Sequence, residues 1–204
     1  MRIAVISDMH GNNLAFEGVL ADIKQQGTDQ IVCLGDAIQG GPQPAEVVRN
    51  LRALNCPVVM GNADAWLLTG EETGDEGIPE ERLKKMEWIR QWSLSQLSED
   101  DKAFIANFQP TVTIPLGGSL DLLCFHGSPT SFDDVILPHS PKEVFEQYLG
   151  AYSDKILKAD TPTRNRSVAT AICSSSTLAV SALRSVTISP MEHSRQITGQ
   201  IMRS

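Results

Sequence analysis

A chain of 204 residues with 41% apolar side chains can bury one sizeable core, and no apolar run in it reaches the length that a membrane span needs. The formal charge of −8 excludes a general nucleic-acid surface. That total conceals a split: residues 1–158 carry 12 basic and 23 acidic side chains, a net of −11, whereas 159–204 carry 5 and 2, a net of +3.

The opening MRIAVISD is one charge followed directly by a strand-like run, with no small-residue cleavage site, and predicts no export signal. Cys33, Cys56, Cys124 and Cys173 lie far apart without paired spacing, which predicts reduced thiols in a cytoplasmic protein. RIAVIS is a continuous β-rich run, the pattern of a strand buried on both faces. In NNLAFEGVLADIKQQG, the residues Leu14, Val19, Leu20 and Ile23 fall on one helical stripe, with Asn13 as cap and Gly27 as stop. QIVCLGD is a second buried strand. PAEVVRNLRALN is a helix with Pro44 at its start and Val47, Val48, Leu51 and Leu54 inward. CPVVMGN reads as a third strand, which completes the β-α-β-α-β rhythm of an α/β fold.

The middle is more helical. PEERLKKMEWIRQWSLSQLS carries Leu83, Met86, Ile89, Trp92 and Leu97 at near-helical spacing, and Trp88 and Trp92 are expected in core or lid packing. The acid run GEETGDEGIPEE before it reads as a solvated loop. SEDDKAFIANF opens with Ser98 and acids that suit a capped helix start. TVTIPLGG and SLDLLCFHG are β-rich and separated by Gly117-Gly118, a hairpin signal. SPKEVFEQYLGAYS is one more amphipathic helix.

Chemistry-bearing residues stand at the strand ends, where ligands gather in open α/β sheets. The first strand ends in SDMHGN with Asp8 and His10, and the second in GDAIQGG with Asp36. The third ends in GNADAW with Asn62, and a later one in FHGSP with His126. Two carboxylates, an amide and two imidazoles on one rim suit a borderline to hard divalent ion such as manganese, iron or zinc. A carboxylate has two oxygens and can bridge two ions, and Asp36 at the central strand end is the natural bridge.

These four motifs, in this order and each at a strand end, resemble the calcineurin-like metallophosphoesterases, and more narrowly the small single-domain phosphodiesterases of bacteria and archaea. The resemblance covers residues 1–158, which it makes a metallophosphoesterase domain. It implies two facing mixed β-sheets flanked by helices, a four-layer αββα sandwich. It also implies a binuclear site of two divalent ions (manganese first, with iron, zinc or nickel as alternatives) and a metal-bound hydroxide that attacks a phosphate ester. Carried over by motif, Asp8 and His10 hold the first metal and Asp36 bridges. Asn62 and His126 hold the second metal and serve catalysis, with Asn62 also touching the phosphate. A homodimer is a common state of such folds.

The chain departs from that pattern twice. Larger members carry His after Gly-Asn in the third motif, where this chain has Ala63. The change points to a diester or an activated leaving group. Asp64 is expected to cap the helix that follows, and Trp66 to pack on a helix rather than wall the site. The second departure is the absence of a Gly-His-X-His and a later Asn-Pro-Gly-Ser after His126. The remaining histidines, His139 and His193, lack metal-ligand spacing and read as loop residues.

Codon arithmetic addresses the second departure. Taking the third base of each codon with the first two of the next, the pairs from Ala159 to Arg164 can spell Gly-His-Thr-His-Thr. In the same offset, the pairs from Ser176 to Ala182 can spell Asn-Pro-Gly-Ser-Val-Gly. The expectation is a reading frame that slips by one near Leu157–Lys158, with 159–204 the out-of-frame remainder of the domain, weaker metal binding and little activity. The alternative is a non-catalytic scaffold that keeps the fold, as the retromer scaffold subunit of eukaryotes does. A flavodoxin-like nucleotide module is disfavoured, because DMHGNN lacks the spacing of a glycine-rich phosphate loop.

Overall fold

The structure is a computed structural model and describes residues 1–71, 79–118, 120–136, 140–152, 156–160 and 169–174. Strand β1 (Arg2–Ser7) leads into helix α1 (Asn13–Gln26), then β2 (Gln30–Cys33) and α2 (Pro44–Leu54). Three helices follow: α3 (Asn62–Thr69), α4 (Glu80–Ser95) and α5 (Glu99–Ala106). The hairpin β3 (Thr111–Gly117) and β4 (Leu120–His126) comes next, then α6 (Lys142–Leu149), β5 (Ile156–Asp160) and β6 (Ala169–Ser174).

The strands form two mixed sheets. In one, β1 runs parallel to β2 and antiparallel to β6; in the other, β4 runs antiparallel to β3 and parallel to β5. Strand alternation explains how the sheets face each other. Ile3 and Val5 of β1 join Val32, Val112, Ile114, Leu122 and Cys124 in one core between the sheets. Ala4 and Ile6 point the other way and pack with Phe16, Ile23, Val47, Val48 and Leu51 under the helices. A strand with apolar partners on both faces must itself be apolar throughout, which is why RIAVIS shows no alternation. In β4, Leu123 and Phe125 are buried on the face opposite Leu122 and Cys124. The α/β sandwich of two facing mixed sheets thus follows the expectation.

Several local expectations hold. Gly27 ends α1 in a left-handed cap, and its N–H donates to the Ile23 carbonyl. Pro44 starts α2, whose Val47, Val48 and Leu51 are buried. Ser98 and Asp101 form a reciprocal capping box at the start of α5. Trp66 packs on α4, with the Arg90 guanidinium 5.8 Å from its ring centroid.

Others are corrected. The third strand shrinks to two bridge positions, Cys33 with Val58 and Val59 with Gln109. Pro57 has no N–H to extend the ladder, and the chain enters α3 directly after Gly61. The cap of α1 is Asn12, whose side chain accepts from Ala15 N at 3.1 Å. A turn from the Asn12 N–H to the Met9 carbonyl closes one residue ahead of the expected start. Leu14 is 76% exposed, and Phe16, on the same helical face as Ile23, takes the core position. Trp88 is 68% exposed rather than packed, since α4 buries only Ser93 fully. Most of the acid run before α4, His139, His193 and most of the tail lie outside the described residues.

The core assignment has a direct test. Leu122→Ala, between the two sheets, is expected to cost about 2–5 kcal/mol in urea unfolding. Leu14→Ala on the exposed face of α1 is expected to stay within about 0.5 kcal/mol. Equal effects would contradict the assigned core.

Candidate metal centre

The parallel pairing of β1 and β2 continues past the strands into their loops. Leu34 N–H donates to the Ile6 carbonyl, Asp8 N–H to Gly35, His10 N–H to Asp36 and Gly11 N–H to Ala37. This zipper sets Asp8 and His10 beside Asp36. Asp8, His10 and Asp36 adopt φ of 56°, 45° and 50°, a left-handed conformation that costs free energy for residues with a Cβ. The one other described non-glycine residue of this kind, Asn55, merely ends α2. Strain at neighbouring site residues is maintained by the zipper that surrounds them.

The loops before α3 and after β2 also press together. A Cβ on Gly35 would run into the Gly61 backbone, and one on Gly61 into Asp36. Two glycines in contact are therefore what lets Asn62, the first residue of α3, stand next to Asp36.

Within this frame, His10 Nε2 lies 3.5 Å from Asp8 Oδ1 and 3.7 Å from Asp36 Oδ2. Donor atoms of Asp8, His10 and Asp36 all fall within 4.8 Å of one another, a grouping that could hold a metal ion. On the other side of Asp36, the His126 Nε2 atom stands 3.8 Å from the same Oδ2 and 3.1 Å from Asn62 Oδ1. The second oxygen of Asp36 is occupied, because Oδ1 accepts the Ala63 N–H at 2.9 Å. Oδ1 thus meets the first turn of α3, and Oδ2 faces both imidazoles.

Each imidazole is oriented from behind. His10 Nδ1 faces the Gln39 carbonyl at 2.8 Å, and His126 Nδ1 faces the Leu34 carbonyl at 2.9 Å. A carbonyl only accepts, so each Nδ1 carries a proton, and each ring turns its Nε2 inward toward Asp36. Carbonyls in this position also orient the histidines of metal sites. The donor set fits divalent ions on a further ground. Asp8, Asp36 and His126 are buried, and buried negative charge demands a positive partner. His126 Nε2 and Asn62 Oδ1 face each other at 3.1 Å beside Asp36 Oδ2, atoms of the kind that a divalent cation could draw on together.

The structure brings together all five expected residues: Asp8, His10, Asp36, Asn62 and His126. It also reveals one whose role was misassigned. Asp64 does not cap α3; its Oδ2 accepts the Ala37 N–H at 3.1 Å and its Oδ1 the Ile38 N–H at 2.9 Å. The cap position of α3 is Gly61, with no side-chain bond. Burial first, and then the charge of Asp36, raise the Asp64 pKa to about 6 against the opposing pull of those two N–H groups.

A model of the calcineurin-like phosphoesterase family matches residues 1–171. The chain belongs to this family. An uncharacterized protein of Methanocaldococcus jannaschii is 49% identical over 73 residues, covering 36% of this chain and 30% of the relative. The symmetrical bis(5'-nucleosyl)-tetraphosphatase of Erwinia tasmaniensis is 30% identical over 120 residues, covering 52% of this chain and 44% of that enzyme. The chain thus spans under half the length of these curated relatives. Among solved structures, a metallophosphoesterase from Sphaerobacter thermophilus is 32% identical, with 64% of this chain and 49% of that one covered at a TM-score of 0.48. Members of the family use divalent metal ions and act on phosphate esters. No helix among the described residues is long and apolar enough to cross a membrane.

Burial pulls the His10 imidazole down, but the Asp8 hydrogen bond and the charges of Asp36 and Asp8 outweigh it and lift the pKa to about 9. A folded pKa above the unfolded value of about 6.5 gives stability that is complete below pH 6.5 and lost as pH rises through 9. Without metal, the melting temperature is expected to fall across that window, and His10→Ala to flatten the decline. Because an ion must displace the His10 proton, the gain in melting temperature on adding Mn²⁺ is expected to grow from pH 6.5 to 9. A metal-free melting temperature that stays level across the window would contradict the His10 assignment.

Proposed function

We propose that this chain derives from a metal-dependent phosphoesterase of phosphodiester or nucleotide-phosphate substrates, with Asp8 and His10 holding one ion, Asn62 and His126 a second, and Asp36 shared. The observation that carries the reading is the position of Asp36 Oδ2, 3.7 Å and 3.8 Å from two imidazoles that are each oriented by a backbone carbonyl. Two ions held there, manganese being the first candidate, would supply Lewis acidity toward the phosphoryl group and lower the pKa of water.

The side chains define the rest of the chemistry. Asn62 can face an ion with Oδ1 and still donate from its amide nitrogen to a phosphoryl oxygen. Ala63 offers no proton. Asp64 cannot replace the missing acid, because both of its oxygens are engaged by the Ala37 and Ile38 N–H groups in a fully buried position. The leaving group must therefore depart without a proton from this part of the site. That favours leaving groups that are stable as anions, such as a nucleotide phosphate or the acidic alcohol of an activated diester, and the similarity to an enzyme named as a bis(5'-nucleosyl)-tetraphosphatase supports the first of these. Cys33, Cys56 and Cys124 are free thiols, in keeping with a cytoplasmic setting. A homodimer remains part of this reading.

We further propose that residues beyond Lys158 are the out-of-frame remainder of the domain. The source DNA from Leu157 to Ala182 is expected to spell Gly-His-Thr-His and Asn-Pro-Gly-Ser in the offset frame. The enzymatic reading is tested with bis(p-nitrophenyl) phosphate and diadenosine tetraphosphate in Mn²⁺, for this chain and its frame-restored form. The restored form is expected to turn over at least one of them, and Asp36→Asn to lower the rate at least about 100-fold. Turnover indifferent to Asp36 would overturn the reading. A restored chain that binds Mn²⁺ without hydrolysing either ester would put the scaffold ahead of the enzyme.

A further inference from the structure

We infer that Asp64 is a positioning residue for the metal centre, acting through Asp36; the inference rests on the proposed reading of Asp36 as a metal ligand. Two carboxylates hold each other's loops. Asp36 Oδ1 accepts the Ala63 N–H at 2.9 Å, from the first turn of α3. Asp64, one residue further along that turn, accepts the N–H groups of Ala37 and Ile38, the two residues that follow Asp36. Three hydrogen bonds thus cross between segments 26 or 27 residues apart, and Asp36 lies at their centre.

The need for such a clamp is visible in the backbone. Asp36 has φ of 50°, which a residue with a Cβ keeps only when its surroundings over-determine it. Ala37 and Ile38 are fully buried, so their N–H groups have no access to solvent and require an acceptor from the protein. Asp64 is also fully buried and supplies one oxygen to each. A charged acceptor serving two backbone donors is stronger than a neutral one. The same two bonds tie down the residues that follow Asp36, where the zipper ends at the Ala37 carbonyl. Asp36 is thereby held from both ends and by its own side chain, and Oδ2 is left fixed between His10 and His126. A helix cap would bond to N–H groups within α3; both acceptor bonds of Asp64 leave its helix.

Asp64→Asn is the first variant, since it keeps the shape but sets an N–H₂ against one of the two N–H donors. Asp64→Ala removes both acceptors. Ser98→Ala, which takes away the cap of α5, lowers stability without touching the loops and serves as the control. Mn²⁺ binding is measured by titration calorimetry and melting temperature by circular dichroism. Asp64→Asn is expected to weaken Mn²⁺ binding about 10- to 100-fold, the range found for groups that support metal ligands. Ser98→Ala is expected to melt earlier yet bind Mn²⁺ like the wild type. Unchanged binding in Asp64→Asn, or equal weakening in Ser98→Ala, would overturn the inference. If the wild type binds no Mn²⁺, the proposed function fails, and amide hydrogen exchange on the metal-free wild type still decides the clamp. The Ala37 and Ile38 amides are expected to be protected like those of β1 and β2, and exchange at loop rates would refute it. The same exchange measurement applies if neither Asp64 variant folds.

Discussion

Negative charge buried at the ends of two parallel strands is the constraint around which this molecule is arranged. Asp8 and Asp36 are both buried, and either alone would be costly in an apolar interior. The fold answers in layers. Between them stands His10, with a pKa lifted to about 9 by those same charges. Behind His10 stands the Gln39 carbonyl, and behind His126 the Leu34 carbonyl. Further out, Asp64 holds the loop that carries Asp36. Each layer fixes the direction of the one inside it, so the orientation of each candidate ligand traces back to a backbone group elsewhere in the chain.

The β1–β2 register creates this arrangement. Pairing Ile3 with Gln30 and Ile6 with Cys33 brings the two loops level, and four further backbone bonds keep them together past the strand ends. A slip of one residue would turn Ala4 and Ile6 away from the helical core and Ile3 and Val5 away from the second sheet. The apolar cores on both faces of β1 therefore fix the register, and the register fixes the site. Packing and chemistry share one cause here: a strand buried on both faces has a single acceptable position.

That dependence explains what could be read in the linear sequence. Runs such as RIAVIS and the Gly117-Gly118 hairpin were legible because period and turn chemistry are local. That Asp8, His10, Asp36, Asn62 and His126 would come together was legible because each stands where a strand stops, and strand ends converge. Asp64 was not, because its partners Ala37 and Ile38 lie 27 and 26 residues away and are backbone groups, which leave no mark on the sequence. The inward stripe of α1 was misjudged at Leu14 for a smaller reason. At about 100° per residue, Leu14 lies on the face opposite Ile23, whereas Phe16 shares the buried face with it. Trp88 is a similar case, since near-helical spacing cannot tell which face of α4 finds a partner.

The strand β6 bears on the tail. It lies within residues 159–204 and pairs with β1 from Arg2↔Ser174 to Ser7↔Ala169. Edge pairing uses N–H and C=O groups that every residue except proline possesses in full, so a strand can be accepted by β1 with little regard for its side chains. Metal coordination has no such tolerance, because an imidazole must come from a histidine at a given place. A chain whose frame slips after Lys158 would thus keep what backbone supplies and lose what side chains supply. It would still close the free edge of β1 and so preserve the strand that carries Asp8 and His10. Any further imidazoles that the offset frame encodes would be lost. A slip of this kind would leave the strands paired and the site short of ligands, and the physical difference between the two kinds of bond is the reason.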